Sequence, residues 1–316
     1  MRLLRTLLVL TGLLLASPLL LSQNADPRSP LLVEDAQHAT PPRKGLPAWV
    51  DDWNRLFHPA SVLDGQMVVA FYGQPSSRKM GILGEQSIEA TKLQLDATVK
   101  TWEAVSDGVK VVPAFHLIYA TCYPDANVGM LTDATVLKYI EFAAKNDMVV
   151  ILDHQLGKYS IEAAMKTMLR WLAYPNVHLA IDPEWKTPNP GVELGTIRAD
   201  DVNKAEQMMN DYLEQNQLPG KRMLILHQFH AKMISNREAV RADFPLVDLV
   251  HHADGFGPPQ LKLDTYKFLA GMKNLPVKGF KLFLSKSWKT NGMDIPLLTP
   301  AQVMSLTPRP VYISYQ

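Results

Sequence analysis

Eight short runs rich in apolar and β-branched residues, most of them followed by a polar cluster and a segment of helical period, constrain the fold of this chain most strongly. The runs are QMVVAFYG (66–73), VKVVPAFHLIY (109–119), DMVVILDHQ (147–155), NVHLAIDPEW (176–185), KRMLILHQFH (221–230), LVDLVHHADGFG (246–257), VKGFKLFLS (277–285) and RPVYISYQ (309–316). Between them lie helix candidates such as SIEATKLQLDATVKTWEAV, DATVLKYIEFAAKN, SIEAAMKTMLRWLAY and ADDVNKAEQMMNDYLEQN, several opened by a Ser or Asp suited to capping exposed backbone N–H groups. Strands that alternate with helices pair in parallel through right-handed crossovers. Eight of them predict a closed α/β barrel of the (β/α)8 TIM type. The eighth run ends the sequence with no helix after it, and the connection before it, WKTNGMDIPLLTPAQVMSL, is only partly helical. An open doubly wound sheet is the rival, but YGQPSSRKMGILGE after the first run lacks the G-x-G-x-x-G spacing that a nucleotide turn requires.

The N-terminus divides from this pattern. MRLLRTLLVLTGLLLASPLLLSQ places Arg2 and Arg5 before a leucine-rich stretch broken at Pro18, the layout of a secretory signal. Residues 1–22 therefore read as a signal peptide or an uncleaved membrane anchor, residues 23–46 as a polar, proline-rich linker, and 47–316 as one barrel domain. The expected location is secreted or at the cell surface, with membrane contact only through the N-terminal segment if it stays uncleaved. Cys122 stands alone and has no intramolecular disulfide partner, so it reads as a small buried hydrophobe. A net charge of +1 over 316 residues gives no basic field, which argues against nucleic acid as a partner.

In a barrel, side chains at the C-terminal ends of the strands share one pocket. Read at their ends, the runs contribute Tyr72; His116 and Tyr119; Asp153 and Gln155; Asp182 and Glu184; His227, Gln228 and His230; His251, His252 and Asp254; Ser285; and Tyr312 and Tyr315. Residues two apart on a strand share a face, so Asp182 and Glu184 are expected to point together into the mouth. Two neighbouring carboxylates raise each other's proton affinity, which leaves one available as a general acid while the other is ionised. Trp185 would wall the acid from water or carry a sugar ring. Asp153 belongs to a strand too apolar for the surface, and Gln155 shares its face. Asp254 is divided between an Asp-Gly turn and a site role. His227 and Gln228 alternate, so at most one of them enters the barrel. His116, Asp153, His227 and Asp254 also have the types that a metallohydrolase would need, although no H-x-H stands on the first run and no H-E-x-x-H occurs.

The signposts FYGQP with MGILGE, Asp153 and Gln155 in LDHQLG, IDPEW, HQF at 227–229, ADGFG at 253–257 and the terminal SYQ resemble those of a group of exported bacterial proteins with a glycoside-hydrolase-like barrel. The resemblance spans roughly residue 66 to the C-terminus and implies the fold and the choice of residues rather than a reaction. The D-x-E at 182–184 is also similar to the end of the chitinase-type motif, in which the Glu is the acid; Ala180 stands where another aspartate belongs in that motif. A nucleophilic Glu on the seventh strand, the other common arrangement, is missing from GFKLFLS.

The expected function is that of a carbohydrate-active hydrolase, with Glu184 as general acid and Asp182 or Asp153 as base, nucleophile or electrostatic stabiliser. Tyr72, Gln155, Trp185, His227, Gln228, Asp254 and Tyr315 would hold substrate or orient the carboxylates. No cofactor and no metal are expected, and a carbohydrate or cell-wall polymer is the partner. A glycan-binding barrel without turnover and a metal-dependent barrel hydrolase are the alternatives.

Overall fold

The computed structural model describes residues 46–50, 53, 61–284 and 293–316. The N-terminal apolar stretch, nearly all of the proline-rich linker and Ser285 lie outside the described residues. Eight strands form the barrel: β1 Gln66–Gly73, β2 Lys110–Cys122, β3 Val149–Gln155, β4 Val177–Asp182, β5 Arg222–Gln228, β6 Val247–Ala253, β7 Lys278–Leu282 and β8 Tyr312–Tyr315. Each is parallel to its neighbours in the order β1-β8-β7-β6-β5-β4-β3-β2, and β1 pairs with β2 as well as β8, which closes the sheet on itself. The main helices are α1 Ile88–Glu103, α2 Asp133–Ala144, α3 Ile161–Met168, α4 Ala199–Gln215, α5 Pro259–Ala270 and the short α6 Pro300–Met304. The expected (β/α)8 barrel is thus the fold, with β8 at the end of the chain.

Local chemistry explains the helix starts. The Ser87 and Ser160 hydroxyls accept the backbone N–H groups of Ala90 and Ala163, satisfying donors that the first helical turn leaves unpaired. At α2 the cap is Thr132, accepting from Thr135 N, so the Asp133 that seems to open the segment in sequence is its first helical residue.

Alternation along each strand sorts side chains into two layers. Phe71, Phe115, Leu152, Leu179, Leu226, Leu249 and Phe280 face outward into the apolar layer beneath the helices. Val68, Ala70, Val112, Ala114, Val149, Ile151, Ala180, Met223, Ile225 and Val250 face inward and fill the lower half of the barrel. Packing of that kind makes the barrel a solid core rather than a pore. Among the described residues no helix is long and apolar enough to cross a membrane.

One boundary matters for the site. The run NVHLAIDPEW is strand only as far as Asp182, and Pro183–Trp185 form a single 3-10 turn. Proline has no N–H to continue the ladder and fixes its own φ, so the strand stops where it appears. The expectation that Asp182 and Glu184 share a strand face is therefore replaced: Glu184 reaches the mouth on a turn.

Candidate active site

The upper half of the barrel interior is polar on nearly every strand. Tyr72 lies on β1, His116 on β2, Asp153 on β3, Asp182 on β4, His227 on β5, His252 on β6 with Asp254 just beyond it, Lys281 on β7 and Ser314 on β8, all of them 5% exposed or less. Ionisable groups are rarely buried unless paired, so their partners define the site.

Asp153 lies in the centre. The Tyr72 hydroxyl donates to its Oδ2 at 3.0 Å, while Nε2 of His116 and Nε2 of His227 stand 3.6 and 3.5 Å from the same oxygen. Burial opposes a charge on Asp153, but His227 and His116 outweigh it and hold the carboxyl below its ordinary range. His227 continues the chain: its Nδ1 is 2.7 Å from Oδ2 of Asp254, whose Oδ1 is 2.8 Å from the Lys281 ammonium. Burial disfavours the imidazolium, yet the carboxylates of Asp153 and Asp254 prevail and raise His227 to about 9. Burial likewise opposes the charge on Asp254, and Lys281 with His227 reverses it, so that this carboxyl stays ionised far into acid. The Lys281 ammonium also lies 3.9 Å from the centre of the Tyr72 ring, a cation–π contact that fixes both side chains.

Below these groups a second set of hydrogen bonds orients the rings. The Tyr312 hydroxyl is 2.7 Å from Nδ1 of His116, and the Ser314 hydroxyl is 2.8 Å from Nε2 of His252. The space for His252 comes from Gly279 on β7, where a Cβ would stand 2.5 Å from its Nδ1.

Asp182 ends β4, between the strands that carry Asp153 and His227, and Glu184 follows it on the turn. Oδ1 of Asp182 accepts the Glu184 N–H at 3.2 Å and Oδ2 accepts the Trp185 indole N–H at 2.9 Å. The Glu184 carboxyl is half-buried but closely surrounded by protein, with Asp182, Asp254, Lys281 and His227 all acting on it. Burial first, and then the negative charge of Asp182, raises Glu184 to about 8; burial raises Asp182 to about 7. The two therefore hold one proton between them near neutral pH. Both oxygens of Asp182 face N–H groups that can only donate, which favours its ionised form and leaves the proton on Glu184. The turn carrying Glu184 is clamped by Gly195, whose N–H donates to the Glu184 carbonyl at 2.8 Å and whose missing side chain would collide with the Pro183 and Glu184 carbonyls.

Behind the mouth, Lys262 and Asp294 make a buried ion pair at 3.2 Å. Asp294 accepts the backbone N–H groups of Gly257 and Phe283, each at 2.9 Å, and Lys262 donates to the carbonyls of Gly255 and Lys281. This clasp joins the ends of β6 and β7, the segments that present Asp254 and Lys281.

Not every residue nominated by the sequence reaches the pocket. Gln228 faces outward, its Oε1 2.7 Å from Nε2 of His251 in the layer beneath the helices. Tyr315 also faces outward, its hydroxyl accepting the Trp102 indole N–H at 3.0 Å. Both follow from parity, since His227 and Ser314 occupy the inward positions beside them. Gln155 binds the Cys122 backbone N–H at 2.9 Å, a structural tie between β2 and β3. The sequence reading missed Lys281. Its signal was a lone lysine within the apolar run GFKLF, at a position that shares its face with Gly279 and so points inward.

No protein-family model and no curated protein matches the chain. Among solved structures it is similar to a family 18 chitinase from Crocus vernus, at 11% identity with a TM-score of 0.46, covering 79% of this chain and 92% of that one. It is similar also to a chitinase from Chromobacterium violaceum, at 10% identity and TM-score 0.36, covering 68% of each chain. A GH2 beta-galacturonidase from Eisenbergiella tayi follows at 11% identity and TM-score 0.38; the match covers 78% of this chain and 42% of that one. At such scores the fold rests on the strand pairing, and the site on its own geometry.

Proposed function

We propose that this chain is an exported glycoside hydrolase in which Glu184 is the general acid. What carries this reading is the placement of two neighbouring carboxyls, Asp182 and Glu184, in a buried setting that raises the proton affinity of both. A half-buried carboxyl whose proton affinity is raised to about 8 is protonated in neutral solution and can donate to a leaving-group oxygen. Asp182, held ionised by the Glu184 N–H and the Trp185 indole, supplies the negative charge that an oxocarbenium-like transition state requires. Asp153, the other acid nominated by the sequence, is enclosed by Tyr72, His116 and His227 and has no part in this division of labour. Trp185, half-buried at the mouth, offers a ring face for a sugar, and export is supported by the signal-like N-terminal sequence.

The test is Glu184→Gln, assayed beside the unaltered protein on a panel of oligosaccharides and cell-wall polymers. Turnover should be lost while binding of the same glycan, measured calorimetrically, is kept. Turnover that survives the exchange removes Glu184 from the role. Glycan binding without turnover by the unaltered protein would favour the binding-only alternative.

A further inference from the structure

Besides Nδ1 of His252, and Oδ1 of Asp254 which faces Lys281, three buried atoms of the site have no hydrogen-bond partner among the described residues: Nε2 of His116, Nε2 of His227 and Oδ1 of Asp153. They belong to residues that are wholly buried, on three different strands, and each residue's remaining hydrogen-bonding capacity is already used. His116 has its Nδ1 on the Tyr312 hydroxyl, His227 has its Nδ1 on the Asp254 carboxylate, and Asp153 accepts from the Tyr72 hydroxyl. A buried polar atom without a partner costs free energy, and two unpartnered imidazole nitrogens that converge on one carboxylate point to something that would satisfy them together.

We propose that His116, Asp153 and His227 bind one divalent transition-metal ion of the zinc type. One ligand atom from each of the three lies within 4.8 Å of the others. The two imidazole nitrogens are 3.6 and 3.5 Å from Oδ2 of Asp153, against about 3.3 Å for neighbouring ligands of a tetrahedral ion with bonds of about 2.0–2.1 Å. The outer contacts have the form found behind metal ligands, where the second nitrogen of each histidine is held by a carboxylate or hydroxyl that sets ring and tautomer. Ligation uses the Nε2 lone pair, so any proton on that nitrogen of His227 leaves to solvent as the ion enters, while Nδ1 keeps its proton for Asp254. Three protein ligands leave a further position for water or a substrate oxygen.

A second trio, Asp182, His227 and Asp254, also comes within range. It is the weaker candidate, because both oxygens of Asp182 already accept N–H donors and Asp254 is committed to His227 and Lys281.

The ion site goes beyond the glycosidase reading and does not involve Glu184, so the two can fail separately. The full chain, stripped by chelation, is incubated with Zn²⁺ or Co²⁺, passed through gel filtration and analysed for bound metal. One ion per chain should be retained, with the strong visible absorption of four-coordinate Co²⁺. Asp153→Asn and His227→Gln should each lower retention at least tenfold with circular dichroism unchanged, and Glu184→Gln should retain the ion. Should either floor variant fail to fold, the unaltered chain decides alone. No retained metal, or only the weak absorption of six-coordinate surface-bound Co²⁺, overturns the site, as does undiminished retention in folded Asp153→Asn.

Discussion

The lower and upper halves of the barrel interior are built on the same eight strands and differ in almost everything else. Below, Val68, Ala114, Ile151, Met223 and Val250 pack as an apolar plug. Above, a step of two or more residues along the same inward face brings Tyr72, His116, Asp153, His227 and His252. The lower half gains stability from removing apolar surface from water. Most polar atoms of the upper half lost water and replaced it with hydrogen bonds and ion pairs, so their free energy depends on each partner staying in place. The plug provides the rigid floor on which those partners can be held to within a fraction of an ångström.

The contrast can be broken most severely at Glu184. Its replacement by Gln should lower kcat by about 10²- to 10⁴-fold, the range of general acid catalysis, in a steady-state assay. If Glu184 acts as the acid beside an ionised Asp182, the rate in the unaltered protein should peak near neutral pH, falling as pH rises through about 8 and falling again in acid as Asp182, raised to about 7, takes up a proton. The same shift has a stability consequence. A carboxyl whose folded proton affinity exceeds its unfolded one contributes stability below its ordinary range and loses it as pH rises toward about 8. Denaturant midpoints measured from pH 4 to 9 should therefore slope less in Glu184→Gln than in the parent.

Removing the charge of Lys281 comes next. Lys281→Met leaves the buried Asp254 carboxylate without its 2.8 Å partner and should cost about 3–5 kcal/mol in urea unfolding, because an uncompensated charge remains inside. The corresponding injury in the lower half is Met223→Ala. Met223 is fully buried and its truncation leaves a cavity, with an expected loss of about 2–5 kcal/mol and no change in the pH profile of turnover. If Met223→Ala moved that profile, the two halves would not be separable. The smallest effect sharpens the comparison at its edge: Tyr315→Phe removes the hydroxyl bonded to Trp102 in the outer layer and should cost about 1 kcal/mol of stability without altering KM for any glycan.

Clasps outside the barrel complete the difference. The plug needs none, whereas the upper ends of β6 and β7 are tied by Lys262 and Asp294, and the Glu184 turn is gripped by Gly195. The segments at that end carry Glu184 and Asp254, which would drift without such ties.

Much of this was legible in the sequence. Eight apolar runs between helical segments dictate parallel pairing, and eight parallel strands of that length close into a barrel because closure alone removes unpaired edges. The polar run ends locate the mouth, and they include Tyr72, Asp153, Asp182, Glu184, His227 and Asp254. What the sequence could not give was parity at the ends of strands, where a one-residue change in the terminus exchanges faces. That left His227 and Gln228 undivided, gave Tyr315 a place in the pocket that Ser314 takes, and hid Lys281 within an apolar run. Nor could spacing foretell that Pro183 turns Glu184 into the mouth by ending the strand.

The sequence by itself therefore determined the architecture and the end of the barrel where chemistry would sit, since both follow from local periodicity repeated eight times. Tertiary structure alone decided which groups meet. The Asp153–His227–Asp254–Lys281 chain joins four strands or strand ends between 153 and 281 in the sequence, and the raised proton affinity of Glu184 comes from burial and from charges brought near by barrel closure. Proton affinities and orphaned ligand atoms are properties of distance and dielectric, and neither exists until the chain has closed.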